Sequence, residues 1–295
     1  MDTATLHAFL TVADSGSFSQ AAEALFVTQP AVSKRVAALE SELGMRLFDR
    51  IGRKVTLTEA GRILLPRARQ VMIELDDSKR AVANLSGLVA GRLRVGTSHH
   101  IALHRMPPVL RAYVRDYPEV ELDLRFMDSE QVSNAVQNGD LELGVITLPV
   151  APDPALVVIP VWPDPMSVVV SSSHELAQIP RIRVADLAQQ GAILAPRGTY
   201  TRDLLESGFE KLGLSPKIRL ESHYLETIKM LVQVGLAWSV LPDSMIDKRQ
   251  CQVLTVPGLK IMRHLGVVHH RDRTLSNAAH AMMDTLRDLN QSEAT

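Results

Sequence analysis

The sequence predicts a mixed fold: an all-α winged helix-turn-helix domain at the N-terminus, a long linker helix, and a two-lobed α/β unit over the rest of the chain. Three observations lead there. Short helical periods broken by a tight turn fill residues 1–60, a heptad pattern occupies 61–90, and from Arg92 short apolar strands alternate with helical segments. A length of 295 residues fits two domains at roughly 150 residues each. With 46% hydrophobic and 22% charged residues, the composition is globular and excludes a wholly disordered chain. The net charge of -1 excludes a globally basic coat protein, but a sum hides position. The single cysteine, Cys251, allows no intrachain disulfide and no Cys-based zinc finger, and a lone thiol reads as inert packing. The first residues, Met1 to His7, carry an acid and lack the basic start and apolar run of a signal peptide. No apolar stretch approaches the roughly 18 residues that span a bilayer. A soluble, cytoplasmic protein with no membrane partner is expected.

The first helix is written by Leu6, Phe9, Leu10, Val12 and Ala13, and Gly16 is placed to end it. A second short helix carries Ala21, Ala22, Ala24 and Leu25. Ser19 stands near its start, with Glu23 one residue off the capping-box spacing. Thr28 is placed to cap a third helix. Pro30 suits its first turn, where a missing N–H costs nothing. Ala31, Val32, Val36, Leu39 and Leu43 form its apolar face, and Gly44 stops it. Two short helices around a tight turn, with small residues at the contact, form a helix-turn-helix pattern. The second of them presents Gln29, Ser33, Lys34 and Arg35 where a recognition helix meets base edges. The stretch 47–58 reads as two strands around a Gly turn, a wing with Arg50, Arg53 and Lys54 in reach of phosphates. Between Lys34 and Lys54 there are six basic residues against three acids, which is the basic patch that the net charge conceals.

These residues carry a resemblance. The strings Phe18-Ser19-Gln20-Ala21-Ala22-Glu23-Ala24-Leu25 and Thr28-Gln29-Pro30-Ala31-Val32-Ser33 are followed by Leu39-Glu40, Leu43-Gly44, Leu47-Phe48-Asp49-Arg50 and Leu57-Thr58-Glu59-Ala60-Gly61. Together they closely resemble the LysR-type transcriptional regulators. The resemblance implies sequence-specific binding of double-stranded DNA through Ser19, Thr28, Gln29, Pro30, Ser33, Lys34, Arg35, Arg50, Arg53 and Lys54.

In the linker, Leu64, Ala68, Val71, Leu75, Ser78, Val82 and Leu85 alternate at spacings of four and three, a sustained heptad seam. Charged residues sit off the seam, so a two-stranded helical dimer is expected. In the resembled family this helix dimerises the DNA-binding domains, and a two-fold dimer reads a pseudo-palindromic operator. Gly87 and Gly91 mark the hinge. The resemblance implies a homodimer through the linker, a homotetramer overall, and RNA polymerase as a candidate further partner.

Beyond the hinge, Arg92 to Thr97 is a strand, and a helix follows that ends before Pro118. Val120 to Phe126 alternates as a half-buried strand. Asp128 or Ser129 caps a helix closed by Gly139, and Leu141 to Ile146 is the next strand. This order implies a parallel sheet. A second set follows: the run Val168 to Val170, a strand over 190–195, a helix over 202–212, a strand over 217–220, a helix ending at Gly235, and a strand over 236–241 stopped by Pro242. One lobe then comprises 91–162 and 265–295, the other 163–264, with the last helix, about 275–289, returning to the first. The layout is similar to the effector domain of the same family, itself similar to periplasmic solute-binding proteins.

Such a unit binds ligands in the cleft outside the carboxyl ends of its strands. Thr97, Ser98, His99, His100 and Thr147 stand at strand ends of the first lobe, and Arg197, Thr199 and His223 at junctions of the second. With Arg197 as the natural partner of a carboxylate, a neutral or anionic small-molecule effector is expected. His100 and His104, four apart, would share a helix face and could hold a metal, but no third ligand is evident at suitable spacing. His269-His270 has the same standing. No metal and no cofactor are expected. The G-x-S-x-G elbow, the HExxH motif and nucleotide fingerprints are all missing, which argues against an enzyme.

Overall fold

The computed structural model describes residues 1–51 and 54–293. They form two compact units, divided between Ser86 and Gly87.

In the first unit, α1 (Thr3–Ser15) starts from an Asp2 capping box and ends where Gly16 adopts the left-handed backbone. Helix α2 (Phe18–Ala24) is capped by Ser17, whose hydroxyl accepts from Gln20 N at 3.3 Å. Ser19, expected at the cap, lies inside the helix and is exposed. Helix α3 (Gln29–Leu43) begins after Thr28, but the Thr28 side chain makes no capping hydrogen bond. Strands β1 (Phe48–Ile51) and β2 (Lys54–Leu57) pair antiparallel as the wing. The Glu40 carboxylate accepts from Leu47 N at 2.7 Å and so ties α3 to the start of the wing. Phe48 packs its ring 5.4 Å from Phe9 and 5.8 Å from Phe18, closing one core around Phe9, Val32, Val36 and Leu39. Leu43, expected on the apolar face, is exposed because α3 has run past this core.

Helix α4 (Glu59–Asn84) starts at Thr58, whose hydroxyl accepts from Gly61 N, and carries Pro66 inside it. It stops short of the expected 61–90, with Gly87 and Gly91 both at positive φ beyond it. The seam divides. Leu64 and Ala68 pack into the core of their own domain, whereas Val71, Val82 and Leu85 are exposed by 42%, 71% and 86%. The first turns are therefore used intramolecularly, because α4 docks on α1 before it extends. An Arg69–Asp14 ion pair fastens that contact.

The second unit is built on a mixed sheet. Strands β3 (Gly91–Thr97), β4 (Val120–Phe126) and β5 (Leu143–Thr147) are parallel, as expected. Two long strands, β6 (Leu156–Ser171) and β11 (Ile261–His270), run antiparallel to each other through both lobes. Their register shifts between Leu265 and Gly266, at the crossing. Proline at 160, 163 and 165 disguises β6 in the sequence as a broken segment. The first lobe adds α5 (His99–His104), α6 (Met106–Asp116) and α7 (Ser129–Gln137). One continuous helix was expected where α5 and α6 stand. It breaks at Arg105 because Pro107 and Pro108 can sit only in a first turn.

The second lobe contains α8 (Val184–Gln189), β7 (Gly191–Leu194), α9 (Tyr200–Glu210), β8 (Lys217–Glu221), α10 (Leu225–Gln233), β9 (Ser239–Pro242) and β10 (Cys251–Leu254). Pro242 closes β9 from within, still paired with Met166. Trp238, fully buried, stacks on Phe209 and donates its indole N–H to Leu187 O at 3.0 Å. Helix α11 (Asn277–Glu293) returns to the first lobe, where Tyr113 Oη donates to Ala278 O at 2.8 Å. Each lobe keeps its own main apolar cluster.

Candidate functional site

Two surfaces concentrate chemistry. On the first unit, α3 buries Val32, Val36 and Leu39 and turns Gln29, Pro30 and Lys34 outward. Ser33 and Arg35 are half-buried at the border, and Gln29 Nε2 donates to Ser33 Oγ at 3.3 Å, so two polar groups are presented together. Thr28 stands exposed at the helix start with its hydroxyl uncommitted to the cap. Arg50 and Lys54 lie on the two wing strands, while Arg53 lies outside the described residues. One feature was not foreseen. Phe26, in the turn between α2 and α3, has φ 53° and a side chain 96% exposed. Its only sequence signal is an aromatic residue in a turn that must go left-handed.

The second surface is a small cavity of about 70 Å³ between the lobes. Ser98, His99, His100, Thr147, Thr199 and His223 line it, as do Asp128, Glu130, Thr201, Tyr224, Glu226 and Arg263. Thr97 and Arg197 are not in this lining. The Thr97 side chain is buried in the sheet at the end of β3. Arg197 is exposed, because the turn that Thr199 Oγ1 closes on Pro196 O, at 2.8 Å, leaves it facing solvent. Thr199 also caps α9 by accepting from Arg202 N at 3.3 Å.

The cation of the cleft is instead Arg263 on β11. Its Nε donates to Asp164 Oδ2 at 2.5 Å and its Nη1 to Thr201 Oγ1 at 3.1 Å, and its Nη2 is buried with no hydrogen-bond partner. Burial lowers its pKa, and Asp164 pulls in the opposite direction. The signal for it was the strand alternation, which puts Arg263 on the same buried face as Ile261 and Leu265.

Polar contacts cross the cavity from lobe to lobe. His223 Nδ1 stands 2.8 Å from Asp128 Oδ2, and Tyr200 N donates to Glu130 Oε1 at 2.6 Å. Burial raises the Glu130 pKa above the ordinary carboxylate value, partly offset by that N–H. His104 Nε2 lies 3.0 Å from Glu226 Oε1, and His100 Nδ1 lies 3.8 Å from the same oxygen. His100, His104 and Glu226 thus converge, although no third partner for the histidines was evident from spacing, since Glu226 comes from the other lobe. Burial, then the Arg263 charge, pushes the His100 pKa down to about 4, so the ring is neutral. Burial opposes ionisation of Glu226, but its own backbone N–H and the two histidines outweigh it and hold the carboxyl below its ordinary value. His269, half-buried, turns Nδ1 to His270 O at 3.0 Å and takes no part in the cavity. Cys251 is buried among apolar neighbours, which pushes its thiol pKa up.

Comparison with known proteins covers both units. Residues 3–62 match the family described as bacterial regulatory helix-turn-helix protein, lysR family, and residues 86–291 match the LysR substrate binding domain. Over 108 residues the chain is 63% identical to an uncharacterised HTH-type transcriptional regulator of Azotobacter vinelandii, covering 37% of this chain and 75% of that one. It is 32% identical over 283 residues to the HTH-type transcriptional regulator CbbR of Rhodospirillum rubrum, covering 95% of this chain and 93% of that one. The fold is similar to that of full-length CbnR solved in complex with its target DNA, with a TM-score of 0.61, 22% identity, and 98% and 99% of the two chains covered. With a helix-turn-helix, a wing and a two-lobed cleft matched along nearly the whole length, the chain belongs to the LysR family of bacterial regulatory helix-turn-helix proteins.

Proposed function

We propose that this LysR-type regulator reads DNA through α3 and the wing and is controlled by a small anionic effector held between the lobes. The observation that carries the effector reading is the buried, unpartnered Nη2 of Arg263 in a cavity whose rim also bears the Ser98 and Thr201 hydroxyls. A guanidinium with one free edge in a desolvated cleft suits a carboxylate. Thr147, His99, Thr199 and His223 add polar contacts around it. Thr97 supports the site from behind, and Arg197 stands outside it. An effector that prefers the closed lobes shifts the protein toward that state by its difference in affinity for the two.

On the DNA side, Gln29, Ser33 and Arg35 read base edges, and Lys34, Arg50, Arg53 and Lys54 neutralise phosphates, with Ser19, Thr28 and Pro30 setting the approach of α3. The exposed Val71, Val82 and Leu85 of α4 suit a homodimer through the linker. A pseudo-palindromic operator, a homotetramer, contact with RNA polymerase and a cytoplasmic location complete the reading. No helix among the described residues is long and apolar enough to cross a membrane.

Footprinting of the full chain on its own promoter region tests this reading. Arg35→Ala is expected to relax sequence preference. Lys34→Ala is expected to weaken all sequences alike and lower the salt slope by about 1. A wild-type chain that protects no DNA at any salt concentration would end the reading. For the effector, small carboxylic acids are screened by thermal shift, where an acid at about 100 times its Kd stabilises by about 2.7 kcal/mol.

A further inference from the structure

We propose that His100, His104 and Glu226 form a site for a divalent transition-metal cation that fastens α5 of one lobe to α10 of the other. This rests on the reading of the cleft as the regulatory site and adds a ligand class to it.

The geometry is that of a metal site waiting to contract. One ligand atom from each of the three residues lies within 4.8 Å of the others. The distances to Glu226 Oε1 are 3.0 Å from His104 Nε2 and 3.8 Å from His100 Nδ1. Ligands about 2.0–2.1 Å from a tetrahedral ion stand about 3.3 Å apart, so these atoms straddle the required spacing. The i, i+4 step on α5 puts both imidazoles on one face, with ring centres 4.8 Å apart.

A plain hydrogen bond between His104 and Glu226 accounts for part of the arrangement. It leaves two buried atoms unexplained: His100 Nδ1 and Glu226 Oε2, both without a hydrogen-bond partner. His100 is 7% exposed, so its Nδ1 is desolvated, 3.8 Å from the carboxylate. A cation between His100 and the carboxylate satisfies the nitrogen, and it satisfies Oε2 as well when Glu226 binds it through both oxygens. The nearby Arg263 charge is matched by Asp164 at 2.5 Å, so it does not leave an unbalanced positive neighbour.

Two imidazoles and one carboxylate suit Zn²⁺, Co²⁺ or Ni²⁺ over Mg²⁺ or Ca²⁺, which prefer all-oxygen shells. Three protein ligands leave a position open toward the cavity. Because the ligands come from both lobes, the ion binds the closed arrangement and stabilises it.

The test uses the full chain stripped with a chelator and titrated with Co²⁺, read by visible absorption, and with Zn²⁺, read by calorimetry. One ion per chain is expected, with the intense visible bands of low-coordinate Co²⁺ and a raised thermal midpoint of the tryptophan-reported transition. His104→Ala, at a half-exposed position that carries no core packing, removes a direct ligand and should weaken binding by more than about 100-fold, beyond the roughly 10–100-fold cost of losing an outer-sphere partner. Glu226→Gln, which keeps the side-chain size, should abolish the bands. If wild type and His104→Ala bind Co²⁺ equally, the site does not exist, whatever the DNA footprint shows. If the bands appear as expected but no DNA is protected with or without Zn²⁺, the regulatory reading fails and the metal site stands.

Discussion

The Arg263–Asp164 pair offers the sharpest test of how the cleft is built. Both side chains are nearly sealed, 4% and 2% exposed, and their contact is 2.5 Å. Replacing Arg263 by Met removes the charge and keeps most of the volume. Removing one partner of a buried pair costs about 3–5 kcal/mol, because the survivor stays desolvated without a counter-charge. Two local features adjust that figure. Arg105, with Nη2 3.9 Å from Asp164 Oδ1 and 25% exposed, supplies a residual counter-charge. The lost bond to Thr201 Oγ1 adds about 1 kcal/mol. The expected net cost is about 3–4 kcal/mol. The double variant Arg263→Met with Asp164→Leu should return to within about 1 kcal/mol of wild type, since an apolar pair of similar volume is often as stable. The assay is urea unfolding followed by tryptophan fluorescence. Trp162 and Trp238 are the protein's two tryptophans and both lie beyond the hinge, so the signal reports the effector unit and not the DNA-binding domain. A single-variant cost below about 1 kcal/mol would show that the pair is effectively hydrated, and the argument for a desolvated anion site at Arg263 Nη2 would go with it.

Other perturbations follow from particular contacts. Glu130 has a pKa raised by burial, so the folded state holds its proton more tightly than the unfolded one. Its contribution to stability is present below the ordinary carboxylate pKa and is lost as pH rises through the raised value. Glu130→Gln keeps an oxygen to accept from Tyr200 N and should gain stability over wild type as pH rises from about 4 to neutrality; an urea-midpoint difference that stays flat with pH would contradict this. A Cβ at Gly266 would lie 2.2 Å from Ile159 O and 3.0 Å from Pro160 Cα, both backbone. Gly266→Ala should therefore cost about 3 kcal/mol in the same fluorescence assay, and an unchanged midpoint would mean that the β6–β11 crossing yields easily. Phe26→Gly should stabilise the first unit by about 1 kcal/mol, because it relieves a left-handed residue whose side chain makes no core contact; differential scanning calorimetry of the lower-numbered unit's transition would read it, and a loss of stability would mean that the exposed ring packs where the geometry shows none.

Much of the fold was legible because it rests on short-range signals. Gly16 and Gly44 end helices by their backbone freedom, Pro30 opens one, and alternation along Val120–Phe126 writes a strand. Where local signals conflict with tertiary pairing they misled. The prolines of β6 read as breaks, yet the strand runs through them because β11 pairs along it. The cap of α2 was displaced by two residues, since Ser17 rather than Ser19 meets the free N–H groups.

The order of residues alone determined the helix-turn-helix, the wing, the linker helix and the alternation of strands and helices, because each depends on neighbours a few positions away. Which side chains meet across the cleft was decided only in three dimensions. Arg263 stands 99 residues from Asp164, and Glu226 stands 122 from His104. Groups that far apart in the chain are brought together by the β6–β11 crossing and the closure of the lobes, and their spacing along the sequence carries no trace of it.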